Sequence, residues 1–163
     1  MAPVQRKTVT LFVYVPEAKQ VILSRRGKLE RHPGLLQATV HGQIEPGEVP
    51  YLAVKREYKE EAKGEFDKLQ QIIELGSAIV GSNVKEQTYY LAASLGNQES
   101  GKLQTTQEVA EFVRVSEADI KSIMPNSKVK DQEGYDYAAN KVMFDDELDV
   151  LKKVFAEYKK LDK

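Results

Sequence analysis

An α/β fold, with a central mixed β-sheet held between helices on its two faces, is what this sequence predicts. Three features carry that expectation: β-branched and aromatic runs bounded by turn residues, a helix delimited by proline and glycine in the middle of the chain, and an apolar stripe at three- and four-residue spacing near the C-terminus. Strands need a partner layer to bury their apolar side, and two amphipathic helices supply one for each face.

Taken in order, Thr8 to Val15 (TVTLFVYV) reads as a strand that stops at Pro16, and Val21 to Leu23 as its hairpin partner, closed by Arg25, Arg26 and Gly27. A loop through Glu30 to Gly34 leads to a further strand, Leu35 to Val40. Gly42, Pro46 and Gly47 mark a turn-rich passage to Pro50, a residue suited to the first turn of a helix. From Pro50 to Lys63 strong helix formers run without glycine, and Gly64 supplies the stop. Ile72 to Val80 and Thr88 to Ser94 form a long hairpin, and Val109 to Val115 a further strand. Ser116 caps a short helix running to Ile123, and the polar stretch Pro125 to Asn140 is a loop. Phe144, Leu148, Leu151, Phe155 and Tyr158 then define an amphipathic helix that Asp145 or Asp146 caps, with a role in core packing and none in a site.

The chain of 163 residues fits one domain, 1–163, with a genuine core and no need of staples. Its 24 basic and 25 acidic residues nearly cancel, so no overall field points to nucleic acid or to a membrane surface. The absence of cysteine excludes disulfides, thiolate metal sites and a cysteine nucleophile, and fits a reducing cytoplasm. The apolar run Val9 to Val15 is too short for a signal peptide, and nowhere do about 18 apolar residues run together. A soluble, cytoplasmic protein is expected, with a homodimer as the one assembly considered.

The chemistry concentrates on the central helix. Glu57, Glu60 and Glu61 stand three and four residues apart, within an arc of roughly 100° at 3.6 residues per turn. Tyr51, Val54, Tyr58 and Ala62 fall on a neighbouring stripe that can bury against a sheet and hold the acidic face still. Like charges this close destabilise a helix by a few tenths of a kcal/mol per pair, a penalty that a divalent cation removes. Carboxylate oxygens select Mg2+, with Mn2+ as a substitute, and leave coordination positions for water and phosphate. Taken alone, the triad reads first as an ordinary solvated helix face.

The wider spacing decides between the two. Gly42, five residues, Glu48, seven residues, then Arg56-Glu57-Tyr58-Lys59-Glu60-Glu61 resembles the Nudix box, in which glycine, glutamate, an Arg-Glu pair and a Glu-Glu pair recur at these intervals. Tyr58 stands at the box's apolar position, whereas its second glycine falls at Lys63 and its last apolar position at Gly64. The resemblance implies a Nudix-type α/β/α sandwich. It also implies Mg2+-dependent hydrolysis of a diphosphate linkage in a small molecule, with Glu57, Glu60 and Glu61 as metal-binding and catalytic residues. Glu48 assists them, Arg56 pairs with a carboxylate and orients it, and Gly42 begins the loop packed against the helix. The general base of the family is either a box glutamate or one from a later loop, and stays unassigned at this point.

Outside the box, Glu108 and Glu111 lie where some relatives supply an extra acid, and Arg25 and Arg26 end a strand near the family's substrates. Each has a plainer reading as a surface charge. His41 stands beside Gly42 and could face the cleft, although a lone histidine is more often structural; the same holds more strongly for His32. Tyr89, Tyr90, Phe112 or Tyr135 offer a face for a base, or simply pack. Arg25-Arg26, Pro33-Gly34-Leu35 and Thr39-Val40-His41-Gly42-Gln43 are loosely similar to the isopentenyl-diphosphate isomerase branch, but that isomerisation relies on a cysteine and this chain has none. Hydrolysis is the expected activity, with a non-catalytic binding module as the alternative class.

Overall fold

The computed structural model describes residues 4–81, 85–129, 137 and 140–161. Its centre is β1 (Val4–Val15), a strand longer than its apolar run, joined by a tight turn to β2 (Gln20–Arg26). Then come β3 (Leu36–Gln37), β4 (Val40–Gln43) and α1 (Pro50–Ala62). The hairpin β5 (Gln70–Val80) and β6 (Lys85–Ser94) leads through the short α2 (Asn97–Ser100) to β7 (Val109–Ser116). Two-residue strands β8 (Met124–Pro125) and β9 (Val142–Met143) precede α3 (Asp145–Leu161).

The sheet is mixed. β6 lies parallel to β1 on one side, while the other side of β1 is shared: Val13 to Val15 pair antiparallel with β2, and Thr8 to Leu11 pair antiparallel with β4. β7 pairs with the outer side of β2. β2 and β4 therefore part company halfway along β1, and the sheet splits there. A strand-like Leu35 to Val40 is what the sequence predicts, but the structure interrupts it between β3 and β4. Thr39 is why: its hydroxyl accepts the Val13 N–H at 2.9 Å and donates to the Ile22 carbonyl at 2.5 Å, filling the split. The neighbouring Ala38 N–H donates at 2.6 Å to the carboxyl of Glu147, so a side chain replaces the ladder partner.

Alternation along β1 builds both halves of the core. Val9, Leu11, Val13 and Val15 face α1, where Ala53, Val54, Tyr58 and Ala62 meet them. Phe12 and Tyr14 face α3, where Tyr158 stacks on Tyr14 at 4.7 Å and Phe155 meets the same ring edge-on at 6.1 Å. The result is the α/β/α sandwich expected from the sequence. Among the described residues, no helix is long and apolar enough to cross a membrane.

Two expectations need correction. Tyr51 is not part of the buried stripe of α1; it is 46% exposed and sits edge-on to Phe66 at 5.1 Å, packing on that ring instead of on the sheet. Asp145 and Asp146 spend their carboxylates elsewhere than on the end of α3: Asp145 accepts the Ser127 N–H at 2.8 Å and the Ser127 hydroxyl, and Asp146 accepts the Tyr90 hydroxyl at 2.5 Å. The short helix after Ser116 is a 3-10 turn, Glu117–Ser122, closed by a reciprocal Ser116–Asp119 capping box. Most of the loop expected over Pro125 to Asn140, with Gly134 and Tyr135, lies outside the described residues.

Candidate active site

The acidic triad does not act as one face in the folded chain. Glu57 and Glu61, four residues apart, turn inward and are buried, whereas the side chain of Glu60 is 59% exposed at the rim. α1 packs against β4, and Glu61 accepts the His41 N–H of that strand at 3.3 Å. Gly42, next along, is where the Glu57 side chain passes: a Cβ there would lie 2.2 Å from Glu57 Cδ. The missing side chain is thus required by a close approach.

Arg56 organises the outer side. Its guanidinium donates to both Glu48 oxygens at 2.9 and 3.0 Å, to Glu57 at 2.6 Å, to Glu60 at 3.3 Å and to the Gln43 carbonyl at 2.9 Å. These bonds hold Glu48 down at about 2 and raise Arg56 above its usual range. Inside the cluster the balance reverses. Burial, then the charge of Glu57, pushes the Glu61 carboxyl up to about 9, with Glu108 adding to the effect from the segment just before β7. Glu57 is also raised by burial, against the pull of Arg56. Glu108 therefore joins the cluster. Glu111 does not; it pairs with Arg25 at 3.4 Å on the far edge.

All the ligand atoms in this cluster are carboxyl oxygens, and Arg56 bonds only one of the two buried carboxyls, Glu57. That chemistry fits a hard divalent cation. Among the described residues no three acidic or histidine side chains stand ready-gathered around an ion, as expected while Arg56 holds Glu57 and the carboxylates repel one another.

The arginines ending β2 first of all pin the loop that follows. Arg25 donates to the Gly34 carbonyl at 3.1 Å, and Arg26 to the Arg31 carbonyl at 2.5 Å and to Gln37 Oε1 at 2.9 Å. Arg26 also lies over the Phe144 ring at 5.7 Å and is close enough to Glu61 and Glu147 for their charges to act on it. Of the aromatic residues singled out, Tyr89 and Tyr90 line a cavity of about 310 Å³ beside Pro50, Glu74 and Ser77, and Phe112 packs on the α1 side. His32 packs edge-on against Tyr137 and Phe144.

The exit of α1 explains the shifted glycine. Lys63 takes the left-handed conformation, φ 57° and ψ 29°, with its N–H on the Lys59 carbonyl and the Gly64 N–H on the Tyr58 carbonyl. Gly64 is needed for another reason, since a Cβ there would lie 2.3 Å from Tyr58 Cζ. Lysine at the left-handed position is strained, so Lys63→Gly is expected to raise unfolding stability by roughly 0.5–1 kcal/mol in urea denaturation, without a change in activity.

Sequence reasoning missed Glu147. It sits on α3 with only 2% of its surface exposed, and burial pushes its carboxyl up to about 8, with Asp146 and Glu86 adding and the Ala38 N–H and Arg26 opposing. The signal was present: Glu147 stands four residues before Leu151 and eleven before Tyr158, on the apolar face of the helix. A carboxyl whose folded pKa lies above its unfolded value binds more protons when folded, so its contribution is full below about pH 4.5 and is lost as pH rises through about 8. Melting temperatures at pH 6 and pH 9 are therefore expected to fall more for the wild type than for Glu147→Gln, which keeps the Ala38 contact and cannot ionise. An equal fall in both proteins would count against a proton held at Glu147.

The family model described as NUDIX domain matches residues 4–135. No curated protein matches the sequence. Among solved structures, the MutT protein from Methanosarcina mazei Go1 superposes with a TM-score of 0.66 at 15% identity, covering 98% of this chain and 99% of that one. An Ap4A hydrolase from C. elegans, in a binary complex, gives 0.62 at 16% identity, with 96% of each chain covered. A NUDIX family hydrolase from Clostridium perfringens gives 0.60 at 14% identity, covering 94% of this chain and 98% of that one. At such identities the likeness is one of fold.

Proposed function

The chain belongs to the Nudix family of pyrophosphohydrolases, and on that premise we propose that it hydrolyses the diphosphate linkage of a small molecule, using Mg2+ held by Glu57 and Glu61. One observation carries the reading: two carboxylates buried side by side under Gly42, with Arg56 clamping the outer side of one of them. Glu60 completes the set at the rim, and Glu48 acts through Arg56. When bound, the ion neutralises phosphate charge and lowers the pKa of a bound water. Glu108, facing Glu61, accepts the proton of the attacking water. Arg26, charged and close to the acidic cluster, draws phosphate oxygens towards it. The substrate class is a nucleoside diphosphate joined to another group, as expected for the family and in keeping with the Ap4A hydrolase that shares the fold. The work is done by a single domain over residues 1–163.

The test is phosphate or nucleotide release across a panel of nucleoside triphosphates, nucleotide sugars and dinucleoside polyphosphates, with Mg2+ or with chelator. Turnover of at least one member, dependent on Mg2+, is expected. Millimolar Mg2+ is also expected to raise the melting temperature, since an ion bound only by the folded cluster stabilises it by mass action, and chelator should reverse the gain. Identical melting curves with and without the ion, together with no turnover, would point instead to a non-catalytic binding module.

A further inference from the structure

Thr10 and His41 are directly opposed on β1 and β4, and each buries a polar atom without a hydrogen-bond partner, Oγ1 of Thr10 and Nδ1 of His41. Buried polar groups are nearly always paired, so an orphan beside a candidate site calls for an explanation. Across the gap stands Glu147. Its Oε1 is engaged by the Ala38 N–H at 2.6 Å, and its Oε2 lies 3.8 Å from His41 Nδ1, one small side-chain adjustment from a hydrogen bond.

The ring has two sides with different surroundings. Nδ1 is fully buried, yet the His41 side chain as a whole is 25% exposed, so the exposure belongs to the opposite edge, which carries Nε2. The backbone N–H of this same residue donates to Glu61. His41 therefore meets the acidic pair of α1 through its backbone N–H and the buried carboxyl of α3 through its ring.

We propose that Glu147 and His41 form a carboxyl–imidazole pair in which Glu147 donates to Nδ1 and thereby presents Nε2–H to an oxygen of the substrate's diphosphate, beside Glu57 and Glu61. The proposal rests on the diphosphate-hydrolase reading above and assigns within it a phosphate-binding residue, His41, and a positioning residue, Glu147. A neutral carboxylic acid can donate to an imidazole nitrogen while its second oxygen still accepts the Ala38 N–H. Burial, which holds Glu147 up to about 8, favours that neutral form. The tautomer is then fixed by the buried partner, as is usual for histidines whose second nitrogen does the work.

The probe is inorganic pyrophosphate with Mg2+, titrated calorimetrically into the full chain, alongside long-range proton–nitrogen spectra of the two histidines. His41→Ala is expected to weaken pyrophosphate binding by about tenfold or more, the scale of one hydrogen bond to a charged group. His41→Gln, whose amide nitrogen can reach the place of Nε2, should recover much of it. Glu147→Leu should weaken binding and mix the His41 tautomers, whereas Glu147→Gln, which mimics the neutral acid, should retain both affinity and tautomer. In the wild type the His41 Nε2 signal should move on adding pyrophosphate and that of His32 should not. Unchanged affinity in His41→Ala, or a Glu147→Leu protein that binds pyrophosphate normally, overturns the proposal, as does a wild type that binds no pyrophosphate. The Mg2+-dependent melting shift, measured in the same proteins, separates the two failures: lost in the wild type, it sinks the metal site itself; kept while His41→Ala binds normally, it sinks only the histidine pair.

Discussion

Glu61→Gln is expected to lower turnover on a diphosphate substrate by roughly a hundred- to a thousandfold, the scale of removing one preorganised electrostatic contact to a transition state. The same substitution is expected to raise the melting temperature of the metal-free protein. The opposed signs follow from the site. Glu61 is buried against Glu57 and Glu108, and among the described residues no cation hydrogen-bonds to it as Arg56 does to Glu57. Burial holds the Glu61 carboxyl protonated up to about pH 9, so at neutral pH folding must place a proton on a group that is ionised in the unfolded chain; glutamine removes that cost, keeps the volume and can still accept the His41 N–H. With millimolar Mg2+ the ranking should invert, because the wild type gains binding energy that the variant lacks. Glu60→Gln, at the exposed rim, should show a smaller loss of turnover and little change in metal-free stability. Glu65→Gln, beyond the helix stop, is the control and should leave activity nearly unchanged. Full turnover in Glu61→Gln on a substrate the wild type cleaves would falsify the assignment of this helix as the metal site.

Gly42→Ala is expected to lower stability by about 1–3 kcal/mol and to reduce turnover on a scale similar to loss of Glu57 itself. The new methyl would meet Glu57 at 2.2 Å from Cδ and 2.6 Å from both Cγ and Oε1, so the side chain must leave its place. Doing so breaks its 2.6 Å bond to Arg56 and moves the carboxylate away from Glu61. A double-mutant cycle isolates the cause. In the Gly42→Ala background, Glu57→Ala removes the atoms that clash, and stability should return towards the level of Glu57→Ala alone while activity stays low. If the double variant is no more stable than Gly42→Ala, the glycine is required for something other than the passage of Glu57.

How far these residues were legible from the sequence follows from what local physics can encode. The α/β class, the strand ending at Val15 and the helix from Pro50 were readable, because helix termini and strand composition are written in neighbouring residues. The box spacing nominated Glu57, Glu60, Glu61, Arg56 and Glu48 in the same way, as positions on one helix and the loop before it. Tertiary structure decided which of them share an environment. The packing of α1 on β4 buries Glu57 and Glu61 and leaves Glu60 at the rim, although helical spacing alone treats the three alike. It also brings Glu108 to Glu61 across 47 positions of sequence, counted from 61 to 108, and leaves Glu111 on an arginine at the sheet edge. The interruption of Leu35 to Val40 at Thr39, and the burial of Glu147 beside His41, arise where β2 and β4 diverge from β1 and α3 closes over the split. Period and propensity describe one segment at a time. Which carboxyl meets which partner depends on distances across a sheet that no single segment contains.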